Sequence, residues 1–121
     1  MTRDELIAQA LAFPSAVEDY PFGDDLLTTK VGGKVFAWIP LDDGWLGHGP
    51  RMAVKLPADL VTELRHTYPS DVHDARPLDQ QYWVTVPLGA AVPDTEVAEL
   101  LAVSYREVVA RLPRNRRPLV E

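Results

Sequence analysis

Three histidines, His48, His66 and His73, are the side chains able to exchange protons near neutral pH, and none has a serine partner at a recognised nucleophile spacing. Cysteine is absent, which removes disulfides, thiolate zinc sites, iron–sulfur clusters and cysteine nucleophiles together. Asp71, His73 and Asp74 place three potential metal ligands within four residues. A closed metal site usually gathers ligands from several elements, so a solvated polar loop is expected there. Glu18, Asp19, Asp24 and Asp25 bracket a Tyr20-Pro21-Phe22-Gly23 turn at a spacing that matches no calcium loop, and they read as an exposed acidic edge. His66 falls near the end of a predicted helix, where an imidazolium complements the helix dipole. Gly32-Gly33 and the glycines at 44, 47 and 49 lack the strand–loop–helix setting and trailing Lys-Ser/Thr of a phosphate loop, so they read as turns. The expectation is a protein without cofactor or metal, and not an enzyme.

Charge and aromatic side chains offer more. The 121 residues carry 12 basic and 18 acidic groups, a net charge of −6. Arg111, Arg114, Arg116 and Arg117 lie within seven residues that hold no acid, while residues 1–110 hold 8 bases against 17 acids, a balance of −9. Such a body repels nucleic acid over most of its surface and attracts it at one end. With 46% apolar residues and no apolar run near the roughly 20 residues needed to cross a bilayer, a single water-soluble domain is expected. The first nine residues, with Arg3, Asp4 and Glu5 before an amphipathic pattern, lack the features of a signal peptide. A cytoplasmic location without membrane contact follows as an expectation.

The elements that must position these groups are readable from period and punctuation. Thr2 and Glu5 have capping-box spacing ahead of a helix over 3–12, and the residue before Pro14 is biased away from helix. Strands are predicted over 26–31 and 34–39, joined at Gly32-Gly33, which tolerate the positive φ angles of a tight hairpin. Pro40 closes the second strand, and a glycine-rich connection with turns at Asp43-Gly44 and Gly49-Pro50 follows. Alternation predicts further strands at Met52–Leu56 and Tyr82–Val86, with a short one near Val72–Ala75. A second helix starts at Pro57 and ends before Pro69, and a third runs from Pro93 to Pro113 with Asp94 and Glu96 in its first turn. The order α-β-β-β-α-β-β-α favours an α+β fold, a two-layer α/β sandwich with an antiparallel sheet carrying helices one and three. The domain spans residues 1–113, and 114–121 form a basic C-terminal tail. Phe36, Trp38 and Trp83 are expected on the sheet face opposite the helices, with Lys30, Lys34, Arg51 and Lys55 around them.

Five segments in order, F-P-S-A-V-E-D-Y-P-F-G at 13–23, K-V-G-G-K-V-F-A at 30–37, M-A-V-K-L-P at 52–57, Y-W-V-T-V at 82–86 and P-D-T-E-V-A-E-L-L-A-V-S-Y-R-E-V-V at 93–109, resemble the MmcQ/YjbR family. The resemblance implies a fold like that of secretion chaperones and frataxin-type sandwiches, and a non-enzymatic "double-wing" DNA-binding role. On that expectation Arg111, Arg114, Arg116 and Arg117 contact phosphate, Lys30 and Lys34 form a wing at the hairpin tip, and Gln80, Gln81 and Trp83 lie near base edges or sugar. The sequence departs from the family where relatives often read asparagine, lysine, any residue, histidine, tryptophan. Asp79, Gln80, Gln81, Tyr82 and Trp83 stand there, so Gln80 can donate a hydrogen bond but releases no counterion. The alternative is a domain that binds a protein or small ligand through an aromatic sheet face of Phe36, Trp38, Lys55 and Trp83.

Overall fold

The computed structural model describes residues 1–42 and 49–118. The elements run α1 (Arg3–Leu11), β1 (Val17–Asp19), β2 (Leu26–Val31), β3 (Lys34–Pro40), β4 (Arg51–Lys55), α2 (Ala58–Thr67), β5 (His73–Asp74), β6 (Trp83–Pro87) and α3 (Asp94–Ala110), with a 3-10 turn at Arg114–Arg116. This is the expected α+β sandwich, with one strand more than the sequence reading contained. β1 has a single apolar residue, so no alternation marks it. It exists by pairing Val17, Glu18 and Asp19 with Lys30, Thr29 and Thr28. All pairings are antiparallel, in the order β1-β2-β3-β4-β6-β5. The two edge strands are three and two residues long, which limits the unpaired backbone offered to another chain.

α1 starts with the capping box its sequence announces: the Thr2 hydroxyl accepts from Glu5 N at 3.1 Å, and the Glu5 carboxylate accepts from Thr2 N at 2.9 Å. α3 lies across β2, β3 and β4 on one face of the sheet, and α1 packs against α3. Leu6 and Ala10 of α1, and Val97, Leu100, Leu101 and Val108 of α3, meet Leu27, Val31, Ile39, Val54 and Val84 in one core. α2 contributes Val61 and Leu64, and the hydroxyl of Tyr68 at its end donates to Glu96 of α3 at 2.7 Å.

Phe36 departs from its expected face. Thr29 pairs with Ala37 but Lys30 pairs with Val35, so Phe36 is an extra residue with no opposite number on β2. That bulge breaks the two-residue alternation and turns the ring toward the helices. Phe36 is fully buried, edge-on to Tyr105 and Phe13, whose own rings stack at 4.6 Å. The Tyr105 hydroxyl donates to Pro14 O at 2.6 Å, tying α3 to the end of α1.

The bulge also ends the pairing of β3 with β4, which is limited to Ala37 with Val54 and Trp38 with Ala53. Beyond it the Ser104 side chain of α3 takes the place of the ladder: its hydroxyl donates to Phe36 O at 2.6 Å and accepts from Lys55 N at 2.8 Å. Ser104→Ala should therefore cost about 2–4 kcal/mol, because it strands two polar backbone groups in the interior. The loss appears as a lower urea midpoint at unchanged slope. Thr62→Ala, removing an exposed hydroxyl bonded to Ala58 O, stays within about 0.5 kcal/mol. Equal midpoints for the two variants would show that Ser104 does not bridge the strands.

Candidate functional site

Where β3 and β4 part, α3 closes the gap from behind and a cleft of about 360 Å³ is left. Lys34, Val35 and Trp38 of β3 line one side, Lys55 and Trp83 the other, and Val108, Arg111 and Leu112 from the end of α3 complete it. The position of each side chain follows from local rules. Trp38 and Ala53 face the same way because they are paired, and Lys55 and Trp83 are paired one pleat further along. The hairpin tip holds Lys34 beside α3 because Gly32, at φ +58°, comes so close to Leu112 that a Cβ there would lie 2.6 Å from its Cδ1.

Three cations thus share a small space with two indoles. Burial pushes the Lys55 ammonium below its ordinary range, and the neighbouring Arg111 pushes it the same way, against the opposing pull of Glu107 and Asp79. Arg111 is itself bonded to the Glu107 carboxylate at 3.2 Å and to its carbonyl at 3.0 Å. Trp38 has its indole N–H shielded from solvent and without an acceptor among the described residues. Such a cleft can take an anionic group and, against the indole faces, a flat apolar one.

The structure joins the two sets of residues that the sequence kept apart. Lys34, Trp83 and Arg111, expected to meet DNA, line the same cleft as Trp38 and Lys55, expected on a ligand face. Arg114 and Arg116 are exposed on the adjoining 3-10 turn. Arg117 instead folds back, donating to Leu112 O and Ala110 O at the end of α3. Lys30 is bound to Asp19 at 2.7 Å. Gln80 lies between Asp74 and Arg76, within hydrogen-bond distance of both, and the Gln81 side chain is exposed. Phe36 is in the core and is no part of a ligand face.

Neither acidic cluster converges. His73 and Asp74 pair with Thr85 and Val84, so they point to opposite faces of the sheet. Asp74 is held by Arg65 at 2.5 Å and Arg76 at 3.5 Å. Glu18 accepts from the Tyr20 hydroxyl, and Asp19 from Lys30. Among the described residues no three His, Asp or Glu side chains are gathered as for a metal ion. His66 is exposed on α2, and His48 lies outside the described residues, as does the Asp43-Gly44 turn. The residue sequence reading passed over is Ser104, a polar side chain at a core position of the α3 stripe.

The model of the YjbR family matches residues 11–107. The uncharacterized protein YjbR of Escherichia coli strain K12 is 29% identical over 120 residues, covering 99% of this chain and 98% of its own length. A crystal structure of the Deinococcus radiodurans protein DR2400 superposes with a TM-score of 0.84 at 28% identity, over 95% of this chain and 84% of that one. A Pseudomonas syringae protein solved in solution shares the fold, with a TM-score of 0.70 at 20% identity over 94% of this chain and 96% of that one. Among the described residues no helix is long and apolar enough to cross a membrane.

The Arg65 guanidinium holds the Asp74 carboxyl below its ordinary value of 3.8, with Arg76 acting the same way. A carboxyl lowered on folding contributes stability that is present above that value and is lost as pH falls through the folded one. Asp74→Asn should therefore lower stability at neutral pH and flatten the acid limb of the stability curve below pH 3.8. Urea midpoints between pH 2 and 7 test this, and an acid limb as steep as that of the unmodified protein would contradict it.

Proposed function

The chain belongs to the YjbR family, and from that premise we propose that it is a nucleic-acid-binding module, not an enzyme, whose contact site is the cleft between β3 and β4. The observation that carries this reading is the concentration of charge. A protein with a net charge of −6 brings Lys34 and Lys55 into one cleft with Arg111, which is shared with Glu107, and sets Arg114 and Arg116 beside it. A phosphate at Lys55 and Arg111 offsets both the burial and the Arg111 repulsion that lower the Lys55 pKa. Trp38 and Trp83 supply faces on which a base can stack, and stacking tolerates any base.

The size of the cleft sets the form of the partner. About 360 Å³ lies at the small end of ligand pockets and admits one splayed nucleotide, where the body of a duplex cannot enter. The acidic remainder confines contact to this end, so about three to five phosphates are engaged. Lys30, neutralised by Asp19, and Arg117, committed to the α3 carbonyls, stand outside the contact. The reading carries with it a cytoplasmic location, where such a partner is reached.

Anisotropy of a labelled single-stranded oligonucleotide tests it. For three to five phosphate contacts, affinity should fall about 20- to 100-fold between 50 and 200 mM salt. Arg114→Ala with Arg116→Ala should weaken binding and flatten the salt slope by about one to two contacts. Trp83→Ala should weaken binding while leaving the slope unchanged. No binding at 50 mM salt, or a slope indifferent to the arginines, would overturn the proposal.

A further inference from the structure

The sheet face turned away from the helices holds a second and larger cavity, an open groove of about 860 Å³, which meets the cleft only at Trp38, a wall of both. Pairing builds its floor: Trp38, Ala53 and Thr85 lie side by side in one row, with the paired Leu26 and Pro40, and Arg51, further along their strands. One wall is Phe22, 68% exposed and stacked on Trp38 at 5.4 Å, and the other is the segment from His73 to Leu78. The floor and walls are largely apolar.

Arg51 is out of place in this setting. Its side chain is buried, with 5% of the residue exposed, and most of its donors are unused: among the described residues its guanidinium meets Gly49 O at 2.8 Å and no carboxylate within ion-pair distance. An arginine carries five N–H donors, and a buried charge is ordinarily paired. The acids nearby do not meet the need. Asp74, on the wall, is held by Arg65 and Arg76, and Asp25 and Asp42 are exposed lining residues that form no ion pair with Arg51.

We propose that the groove binds a monocarboxylic acid with an apolar body, its carboxylate forked on the Arg51 guanidinium and its body lying across Trp38 and Ala53 beside Phe22. Charge decides the class. A carboxylate matches the planar guanidinium with two parallel hydrogen bonds. Arg51 is the cation of the floor, Arg76 on the wall being engaged by Asp74, and with Asp25 and Asp42 also lining the groove a second negative charge on the ligand, as on a phosphate dianion, would meet repulsion. The groove's volume falls within the range of small-molecule sites, and its indole and phenyl rings give the body its contact. This inference rests on Arg51 and is independent of nucleic-acid binding in the cleft.

Calorimetric titration of the full chain with decanoate, and with decan-1-ol as a body without the charge, tests it. Decanoate should bind at least about tenfold more tightly than decan-1-ol, one factor of ten being a modest return for a charge-assisted fork. Arg51→Gln should abolish that preference and leave decan-1-ol unchanged. Ala53→Leu, which keeps Arg51 but fills the floor, should weaken both ligands about tenfold or more, and it carries the test if thermal melting shows that Arg51→Gln does not fold. Lys55→Gln should leave decanoate affinity as it is. Equal affinity for the two ligands, no binding of decanoate, decanoate binding that survives both groove variants, or loss of it in Lys55→Gln would each overturn the proposal.

Discussion

The hydroxyl of Ser104, shared between Phe36 O and Lys55 N, is the contact on which the shape of the sheet and the existence of its cleft both depend. Two neighbouring strands that part in a protein interior leave backbone groups without partners, at a cost comparable to the net worth of several hydrogen bonds. A single side chain from α3 satisfies one acceptor and one donor and so allows the separation to persist. The same contact anchors α3 across the strands, which carries Val108, Arg111 and Leu112 to the back of the opening. Packing and site are therefore one construction: the bulge at Phe36 fills the core on the helix side and opens the sheet on the other.

Electrostatics divides the molecule in the same way. Several cations of the body are tied to a neighbouring acid, as Lys30 is to Asp19, Arg65 to Asp74 and Arg106 to Glu99. Such pairs remove charge from the surface field. What remains is uneven. Lys34, Lys55, Arg114 and Arg116 have no salt-bridge partner among the described residues and collect at the hairpin tip and the end of α3, while Arg51 sits alone under the open face. The two cavities accordingly differ in kind, one small and lined by cations and indoles, the other large and mainly apolar with Arg51 in its floor.

Local signals made much of this legible. The capping box at Thr2 and Glu5, the hairpin at Gly32-Gly33, and the prolines that close β3 and α3 act over a few residues, and each stands where its chemistry puts it. Long-range facts were not visible. β1 is a strand because β2 is there to pair with it, and Phe36 turned inward because a bulge, invisible in a regular alternation, shifted its side. The cleft was seen in fragments: Lys34, Lys55, Trp38, Trp83 and Arg111 were each singled out, but their meeting requires α3 to cross the strand gap. Ser104 carried the one available hint, a hydroxyl within a stripe of Val97, Leu100, Leu101 and Val108, where a polar side chain in an apolar row signals a specific acceptor.

The distance along the chain between Ser104 and the strands it joins orders events during synthesis. β3 and β4 emerge about fifty residues before the helix that completes them, and until α3 arrives Phe36 O and Lys55 N have only water for partners. The hairpin of β2 and β3 can form from neighbours alone, on the timescale of microseconds. The widening between β3 and β4 is the late step, closed by contacts of high sequence separation that slow folding. The opening that gives the protein its cleft thus waits on α3, and a ribosome-bound chain stopped before α3 lacks the side chain that bridges it.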